Sequence, residues 1–335
     1  MLTVTIIERR LETPTVVALT LADPDGRPLP PYGAGAHIDV KLPNGLTRQY
    51  SLLSRDARGD FSRSTGGPAG GAYRIAVLKE PASRGGSRAM HALAVGDRVD
   101  ISEPRNAFPL AAGAHRSVLL AGGIGITPLL CMAETLHHEG GEFELHYCAR
   151  SRGEAAFLHT LAAAGYAGCV ALHFDDGPPQ QRLDVHALLS GLQSSTHLYV
   201  CGPAGFIGWS LDAATALGWP AAQLHREYFS PGAAAPAATA VAAVAAAGAF
   251  SVKIASTGRS IAVAADQTLI AALQAEGIDL PRSCEAGVCG TCLTGVLDGV
   301  PDHRDFFLTD AEKARGDVML PCCSRAKTPQ LVLAL

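Results

Sequence analysis

Cysteine spacing carries the clearest chemical signal in this sequence of 335 residues. Three cysteines are separated by four residues and then by two, and a fourth follows after 29 more: Cys284, Cys289, Cys292 and Cys322. Thiolates at the first spacing, joined by one distant thiolate, bind a [2Fe–2S] cluster. The residue types therefore predict one-electron redox chemistry in this segment.

Two glycines in the same loop fit this interpretation. The sulfurs of a negatively charged cluster need backbone N–H groups that point at them, so the loop must fold tightly. Gly287 and Gly290 have no side chain in the way of such a fold. We expect a larger residue at either position to disturb the cluster.

Structural zinc is the alternative for these cysteines. Zinc sites usually offer two close pairs of Cys or His ligands. Here the distant half is Cys322-Cys323, two adjacent residues that are awkward as ligands of one tetrahedral ion. The length of the gap favours Cys322 over Cys323 as the fourth ligand.

A second candidate site is a phosphate-binding loop, KEPASRGGS. Gly85, Gly86 and Ser87 can offer backbone N–H groups and a hydroxyl to a phosphate. Upstream lies Arg48-Gln49-Tyr50-Ser51-Leu52, which by itself is typical of a half-buried strand.

A third candidate site is the glycine-rich turn AGGIGITP from Ala121 to Pro128, directly after the apolar strand SVLL. Such a turn, opening a helix, cradles a pyrophosphate through its amides and the positive helix end. The sequence is not the GxGxxG fingerprint, so a plain strand-to-helix turn stays open. Later, Cys201-Gly202-Pro203 follows another apolar strand, HLYV.

The elements that must position these groups form three segments of the chain, each with its own secondary-structure pattern. In residues 1–110, short β-rich runs alternate with Gly, Pro and Asp turns, which predicts an antiparallel barrel or sandwich. In 111–230, apolar strands alternate with amphipathic helices, which predicts a parallel, doubly wound α/β sheet with ligands at the carboxyl ends of its strands. In 250–335, a hairpin, a helix, the cysteine loop and a closing strand predict a small α+β domain.

Two segments have biased composition. Residues 231–249 are rich in alanine and interrupted by proline, and we interpret them as a semi-flexible linker. The segment 54–72 is rich in glycine and serine and is predicted to be a surface loop.

Bulk composition excludes some functions. A net charge of -4 offers no basic field for a nucleic acid, so we expect no nucleic-acid partner. No secretory signal or membrane-spanning run is evident, and we expect a cytoplasmic protein with no membrane association. In a reducing compartment the cysteines outside the loop, among them Cys131, Cys148 and Cys169, are expected to be buried thiols.

Together these motifs carry a resemblance. The last 85 or so residues resemble a plant-type ferredoxin domain of the β-grasp fold, and the tail MLPCCSRAKTPQLVLAL resembles the end of the phthalate dioxygenase reductase and vanillate demethylase reductase family. RxYSL is similar to the pattern of ferredoxin reductase-type flavin barrels. GGxGxTP with a downstream CGP is similar to their nicotinamide domains.

The resemblance implies roles for single residues. The flavin is FMN, with Arg48 and Ser87 at its phosphate and Tyr50 and Ser51 at its ring system. Cys201 is implied to lie near the reacting carbon of the nicotinamide, and Phe229 to cover the flavin face until nicotinamide displaces it. The remaining expected cofactor-binding residues are Gly85, Gly86, Gly122, Gly123, Gly125, Thr127, Gly202 and Pro203.

We therefore expect a reductase that passes electrons from NADH through FMN and [2Fe–2S] to a Rieske non-haem iron oxygenase, either aromatic ring-hydroxylating or O-demethylating. Two alternatives stay open: a reductase for a haem monooxygenase, and a redox-sensing carrier. NADPH also stays open, because Arg150 and Arg152 could accept a 2'-phosphate whereas Asp175 and Asp176 could repel it.

Overall fold

The computed structural model describes residues 1–53, 71–191, 195–229 and 248–335. These residues form two compact units, Met1–Glu227 and Tyr228–Leu335. The predicted linker lies outside the described residues except for 248–249, and so does most of the predicted surface loop at 54–72.

The first sheet of the first unit is antiparallel. Its strands are β1 (Leu2–Thr13), β2 (Val16–Ala22), β3 (Ala36–Lys41), β4 (Thr47–Ser51), β5 (Tyr73–Leu78), β6 (Arg98–Ile101) and β7 (Arg105–Asn106). They follow the order β4-β3-β6-β1-β2-β5, with β7 paired to β3. Leu53 donates its N–H to the carbonyl of Arg74 in β5, which brings the two edge strands together. The strands thus curl into a barrel whose interior holds apolar side chains such as Val4, Ile38 and Ile75.

A short helix, α1 (Gly86–Ala92), lies between β5 and β6. It begins at the predicted phosphate-binding loop. Gly85, with a φ of 105°, precedes its first turn in the left-handed region that glycine adopts without a steric penalty.

The second sheet is parallel. Its strands are β8 (Arg116–Gly122), β9 (Glu142–Ala149), β10 (Val170–Phe174), β11 (Thr196–Cys201) and β12 (Leu224–Glu227). The helices are α2 (Ile126–Glu139), α3 (Leu158–Ala163), α4 (Val185–Leu189) and α5 (Ala204–Ala216). The strand order β10-β9-β8-β11-β12 reverses between β8 and β11, and ligands of such sheets bind where the order reverses. Both glycine turns found in the sequence end these two strands.

Barrel and parallel sheet pack on each other within the first unit. The ring of Phe108 lies edge-on to that of Tyr199, with centroids 5.9 Å apart. The Tyr199 hydroxyl accepts the N–H of Ala111 at 2.7 Å. These contacts attach the segment that follows β7 to strand β11 of the parallel sheet.

The described part of the second unit is a mixed sheet with two short helices. Its strands are β13 (Phe250–Ile254), β14 (Ser260–Val263), β15 (Thr294–Asp298), β16 (Pro301–Asp302), β17 (Val318–Met319), β18 (Arg325–Ala326) and β19 (Gln330–Leu333), and its helices are α6 (Leu269–Ala275) and α7 (Asp310–Arg315). The main order is β14-β13-β19-β15-β17, and β16 pairs with β18. The predicted hairpin is β13–β14, which turns at Gly258 with a φ of 71°.

The structure bears on two further expectations, the lack of a membrane-spanning run and the burial of the cysteines outside the cluster loop. Among the described residues no helix is long and apolar enough to cross a membrane. The prediction of buried thiols is right for Cys131 but wrong for Cys169, which is exposed at the end of a short 3-10 turn, while Cys148 is half-buried. Cys169 precedes the edge strand β10, so no further strand covers it.

Candidate functional site

The four predicted cluster cysteines come together as two pairs. The thiols of Cys284 and Cys289 are hydrogen-bonded to each other, and so are those of Cys292 and Cys322. The bond from Cys284 is the main cause that lowers the pKa of the Cys289 thiol to about 6. Two pairs of thiols match the two irons of a [2Fe–2S] cluster, each of which takes two protein sulfurs.

Backbone N–H groups point at these sulfurs, as a thiolate-bound cluster requires. The N–H of Ala286 donates to Sγ of Cys284 at 3.4 Å. The hydrogen bond with Cys292 lowers the pKa of the Cys322 thiol, but the Cys323 thiol and burial leave that pKa raised; the N–H of Gly287 also donates to Cys322 and lowers it slightly. The chain therefore fits the cluster by its donors as well as by its thiols.

Both loop glycines are required by their surroundings. Gly287 has a φ of 72°, and a Cβ there would lie 2.6 Å from Sγ of Cys323 and 3.0 Å from Cα of Asp305. Gly290 has a φ of 69°, and its Cβ would lie 2.3 Å from Cζ of Phe307. The segment around Asp305 and Phe307 is therefore the surface on which the cluster loop rests.

The two adjacent cysteines differ in burial. Cys322 is buried and its thiol bonds to those of Cys292 and Cys323, whereas Cys323 is half-buried and its Sγ also lies 3.7 Å from the carbonyl of Leu320. Within the described ranges, no three His, Cys, Asp or Glu side chains converge as a single metal ion would require. The pairing of Cys292 with Cys322 supports Cys322 as the fourth ligand, which stays a prediction.

The predicted flavin phosphate residues also lie together. A Cβ on Gly86 would lie 2.8 Å from Nε of Arg48, so the arginine side chain covers the start of α1. The N–H of Gly85 is already used, since it donates to Oγ of Ser83 at 3.1 Å. The N–H groups of Gly86 and Ser87 open the helix and have no partner within it. Arg48 with these two amides is thus a suitable cradle for a phosphate.

Ser87 has a second role. Its hydroxyl accepts the N–H of Glu80 at 3.1 Å and so fixes the loop that leads into α1. On β4, Tyr50 is half-buried, and burial raises the pKa of its hydroxyl, which stays protonated.

The two glycine turns of the parallel sheet touch each other through their backbones. A Cβ on Gly125 would lie 2.2 Å from the carbonyl oxygen of Cys201, and one on Gly202 would lie 3.0 Å from Cα of Gly122. A Cβ on Gly122 would itself meet the ring of Phe206 at 2.9 Å. These glycines are needed for the close approach of the two turns.

The other predicted residues of these turns differ in exposure. Gly123, with a φ of 56°, has open space at its Cβ position and is the free edge of the turn. Thr127 is buried and donates its hydroxyl to the carbonyl of Ile124 at 3.0 Å, so it holds the turn in shape. Pro203 precedes the first turn of α5 in an extended conformation.

Where β4 meets the parallel sheet, three polar side chains converge. Ser51 donates to a carboxylate oxygen of Glu227 at 3.5 Å. Glu227 is the register partner of Cys201 across β11 and β12. Burial raises the pKa of Glu227 to about 8, and the hydrogen bond from Ser51 opposes this only in part. Burial, and then the nearby Glu227 carboxyl group, raise the pKa of Cys201 well above the usual range of a thiol.

At neutral pH this junction is therefore uncharged, with a protonated Glu227, a neutral thiol and a hydroxyl. Glu227 is not among the site residues predicted from the sequence, although it begins the segment Glu227-Tyr228-Phe229. Its signal was its place at the end of the last strand, two residues before Phe229. Phe229 is 40% exposed, and its role at the flavin stays a prediction.

The residues that could select between NADH and NADPH lie together at the ends of two neighbouring strands of the parallel sheet. The N–H of Asp175 donates to the carbonyl of Ala149, and that of Asp176 to the carbonyl of Arg150. The ends of β9 and β10 thus carry Arg150, Arg152, Asp175 and Asp176 side by side.

Comparisons with known proteins agree with this geometry. Residues 252–327 match the model of the 2Fe-2S iron-sulfur cluster binding domain. The chain is 54% identical to the vanillate O-demethylase oxidoreductase of Pseudomonas sp. (strain HR199 / DSM 7063), with 100% of each chain covered. A solved phthalate dioxygenase reductase, described as modular for electron transfer from pyridine nucleotides to [2Fe-2S], has a TM-score of 0.71 and 34% identity over 100% of this chain and 98% of that one. The chain belongs to the phthalate dioxygenase reductase and vanillate demethylase reductase family.

A further solved structure, an intact type IV self-sufficient cytochrome P450 monooxygenase, has a TM-score of 0.84 and 38% identity. This chain aligns over 99% of its own length with 41% of that protein.

Membership of the family confirms the main predictions. The protein is an oxidoreductase that carries electrons from a pyridine nucleotide through a flavin to a [2Fe–2S] cluster, as the reductase component of an oxygenase system. The predicted architecture of antiparallel flavin barrel, doubly wound nicotinamide domain and β-grasp ferredoxin domain is confirmed. So is the predicted set of cofactors, FMN, [2Fe–2S] and a pyridine nucleotide, while the choice of NADH over NADPH stays a prediction.

Proposed function

We propose that this reductase is the NADH-dependent partner of a Rieske non-haem iron oxygenase that demethylates or hydroxylates an aromatic substrate. The observation that carries the proposal is the full-length similarity to a vanillate O-demethylase oxidoreductase. The described chain adds the three sites that this role needs: a phosphate cradle at α1, a glycine junction between β8 and β11, and a two-pair thiol loop.

In this proposal the flavin phosphate is held by Arg48 and by the amides of Gly86 and Ser87, with Gly85 shaping the turn. Arg suits that work because its planar fork binds phosphate oxygens in pairs. Tyr50 and Ser51 lie next along β4, at the ring system. The barrel at 1–110 is then the FMN domain.

The nicotinamide nucleotide binds at the junction of the two glycine turns in the proposed domain 111–230. Gly123 offers the open edge of the first turn, and Gly122, Gly125, Thr127, Gly202 and Pro203 shape the floor. Bound together, nicotinamide, flavin and cluster supply hydride transfer followed by transfer of single electrons.

The neutral junction of Ser51, Cys201 and Glu227 is the chain's own contribution to that step. A protonated Glu227 can donate a hydrogen bond without placing a negative charge beside the ring systems. Buried neutral groups also exclude water from the contact, which strengthens every electrostatic interaction there. Phe229 follows as the proposed cover of the flavin.

The remaining assignments complete the proposal. Cys284 and Cys289 hold one iron, and Cys292 and Cys322 the other, in a ferredoxin domain at 250–335 after a linker at 231–249. The preference for NADH over NADPH is assigned to Asp175 and Asp176, whose carboxylates repel a 2'-phosphate. A cytoplasmic location is part of the proposal, because cysteines that bind a metal rather than form disulfides are typical of reducing compartments.

A haem monooxygenase is the second candidate partner. The similarity to part of a self-sufficient cytochrome P450 monooxygenase favours it, because that protein carries a similar reductase. The two candidates share every residue assignment above and differ only in the acceptor.

The test couples the purified, NADH-reduced protein to a Rieske oxygenase component and, separately, to a haem monooxygenase domain, with product formation measured. The matched control is Cys292→Ser, which removes one cluster ligand. We expect product with the Rieske component only. The control should keep NADH-driven ferricyanide reduction and lose product. Faster turnover with the haem domain would replace the first proposal by the second, and failure to turn over either acceptor would favour the redox-sensing carrier.

A further inference from the structure

The loop that follows β10 is closed by its own side chains. It covers residues 175–182 and begins with the two carboxylates to which nucleotide choice is assigned. The guanidinium of Arg182 donates to the backbone carbonyl of Asp175 at 3.3 Å. A Cβ on Gly177 would lie 2.2 Å from Oε1 of Gln181, so the glutamine side chain folds back over the glycine. The far half of the loop therefore lies against the half that bears the carboxylates.

His173 fastens this loop to the sheet. It lies in β10, two residues before Asp175, and its Nδ1 is 2.9 Å from the backbone carbonyl oxygen of Gln181. A carbonyl oxygen only accepts, so Nδ1 carries a proton and donates it. Burial lowers the pKa of His173, so the ring is neutral at physiological pH and its Nε2 is an acceptor. One hydrogen bond thus joins the base of the loop to its far end.

The ring of His173 is itself held by the neighbouring strands. Nδ1 of His146 in β9 lies 3.0 Å from Nε2 of His173, and the two rings stack with their centroids 5.3 Å apart. Nε2 of His146 lies 3.2 Å from a carboxylate oxygen of Glu144. The other carboxylate oxygen of Glu144 accepts from the guanidinium of Arg116 in β8 at 3.1 Å. This chain of side chains across three strands fixes the orientation of the His173 ring.

The backbone of the loop decides where its carboxylates point. The N–H of Asp175 donates to the carbonyl of Ala149 at 3.1 Å, and the N–H of Asp176 donates to the carbonyl of Arg150 at 3.1 Å. Both aspartates are exposed. Their direction therefore depends on the backbone dihedrals of the loop, which the bond from His173 restricts. The 2'-phosphate is the charge that distinguishes NADPH from NADH, and its repulsion by a carboxylate grows as the two approach.

We propose that His173 is a positioning residue for nucleotide selection: its hydrogen bond to Gln181 holds the loop so that Asp175 and Asp176 repel the 2'-phosphate of NADPH. His173 acts through the loop and not by touching the nucleotide. The proposal rests on the proposed function, in which the nucleotide reaches this edge of the sheet and NADH is preferred. Without the bond the loop has more conformations, the carboxylates lie further from the 2' position on average, and discrimination against NADPH falls.

The test measures kcat and KM for NADH and for NADPH, by ferricyanide reduction with the full-length protein. Two amide side chains separate the roles of the ring nitrogens. His173→Asn keeps a donor near the position of Nδ1, whereas His173→Gln keeps a polar group only near the position of Nε2. The matched control is His159→Asn, which changes an exposed histidine of α3. Circular dichroism and flavin absorbance report the fold and flavin binding of each variant.

We expect the ratio of kcat/KM for NADH to that for NADPH to fall about fivefold in His173→Gln, which is the contribution of a typical intramolecular hydrogen bond. The change should come from a lower KM for NADPH, with the kcat for NADH unchanged. His173→Asn and the control should keep the ratio of the unaltered protein. Equal ratios in His173→Asn and His173→Gln would overturn the proposal. Loss of fold in both would also overturn it, because His173 would then be structural.

A reference variant distinguishes failure of this proposal from failure of the nucleotide assignment. It is the double variant Asp175→Asn with Asp176→Asn, which removes both carboxylates. If the double variant lowers the ratio and His173→Gln does not, the carboxylates select the nucleotide but His173 does not position them. If the double variant leaves the ratio unchanged, the assignment of nucleotide choice to these carboxylates is wrong, and the role of His173 is refuted with it.

Discussion

Glu227 allows a quantitative prediction, because its carboxyl group has well-separated pKa values in the unfolded and the folded protein. Its pKa is raised from 4.5 to about 8 in the folded protein, chiefly by burial. Between these values the folded state keeps a proton that the unfolded state releases. Stability therefore falls as the pH rises through this interval and levels off above pH 8.

The magnitude follows from the pKa interval. A shift costs about 1.4 kcal/mol per pH unit, so the interval from 4.5 to about 8 corresponds to about 5 kcal/mol of unfolding free energy. Glu227→Gln imitates the protonated carboxyl group and can keep the contact with Ser51. At pH 5 the two proteins should have similar stability. At pH 9 the variant should be more stable by several kcal/mol, up to about 5.

Urea unfolding followed by tryptophan fluorescence measures this difference selectively. The chain has two tryptophans, Trp209 and Trp219, and both lie in the first unit with Glu227. The matched control Glu139→Gln removes an exposed carboxyl group, and its curve should follow that of the unaltered protein at each pH. A difference between Glu227→Gln and the unaltered protein that stays constant from pH 5 to pH 9 would refute the buried, protonated carboxyl group.

Three further predictions concern the cluster loop and the nicotinamide junction. Cys322→Ser should lose the visible cluster absorbance and the bound iron, whereas Cys323→Ser should keep both; the reverse result would exchange the fourth ligand. Gly290→Ala should lose the cluster faster on exposure to air, because its Cβ would lie 2.3 Å from the ring of Phe307. The control Gly258→Ala has a similar φ of 71° and open space around its Cβ, so it should lose only about 1–2 kcal/mol, which is what a left-handed conformation costs a residue other than glycine. Equal cluster lifetimes would show that the Phe307 contact does not matter. Gly125→Ala should raise the KM for NADH at least tenfold, because its Cβ would lie 2.2 Å from the carbonyl oxygen of Cys201. The control Gly205→Ala, whose Cβ would have no atom within 4 Å, should leave the KM unchanged. An unchanged KM in both variants would show that the glycine junction is not part of the nucleotide site.

Local spacing explains what could be predicted from the sequence. Cluster ligands must follow one another closely along a loop, so the spacing of Cys284, Cys289 and Cys292 is itself the signal. The glycine turn after β8 and the alternation of strands with helices can likewise be predicted from short segments of sequence. Family, fold class and cofactors followed from these local patterns in their order along the chain.

Long-range contacts decided the rest. Ser51 and Glu227 are 176 positions apart, and no periodicity links them, so their meeting depends on how the barrel packs against the parallel sheet. The reason for Gly122 and Gly125 is similar: sequence predicts a phosphate turn, but only the structure shows the second turn pressed against it.

Two adjacent cysteines, Cys322 and Cys323, were the residues that the sequence distinguished least well. The length of the gap favours Cys322 over Cys323, and the fold adds that the Cys322 thiol bonds to that of Cys292, whereas the Cys323 thiol lies 3.7 Å from the carbonyl of Leu320. In the same way an arginine three residues further on looks like any surface charge, until three carbonyls and an aromatic ring enclose it. The sequence by itself determined which chemistry this protein carries, because ligands and turns are local. The tertiary structure decided which charges and hydroxyls surround that chemistry, because burial is a property of the whole fold.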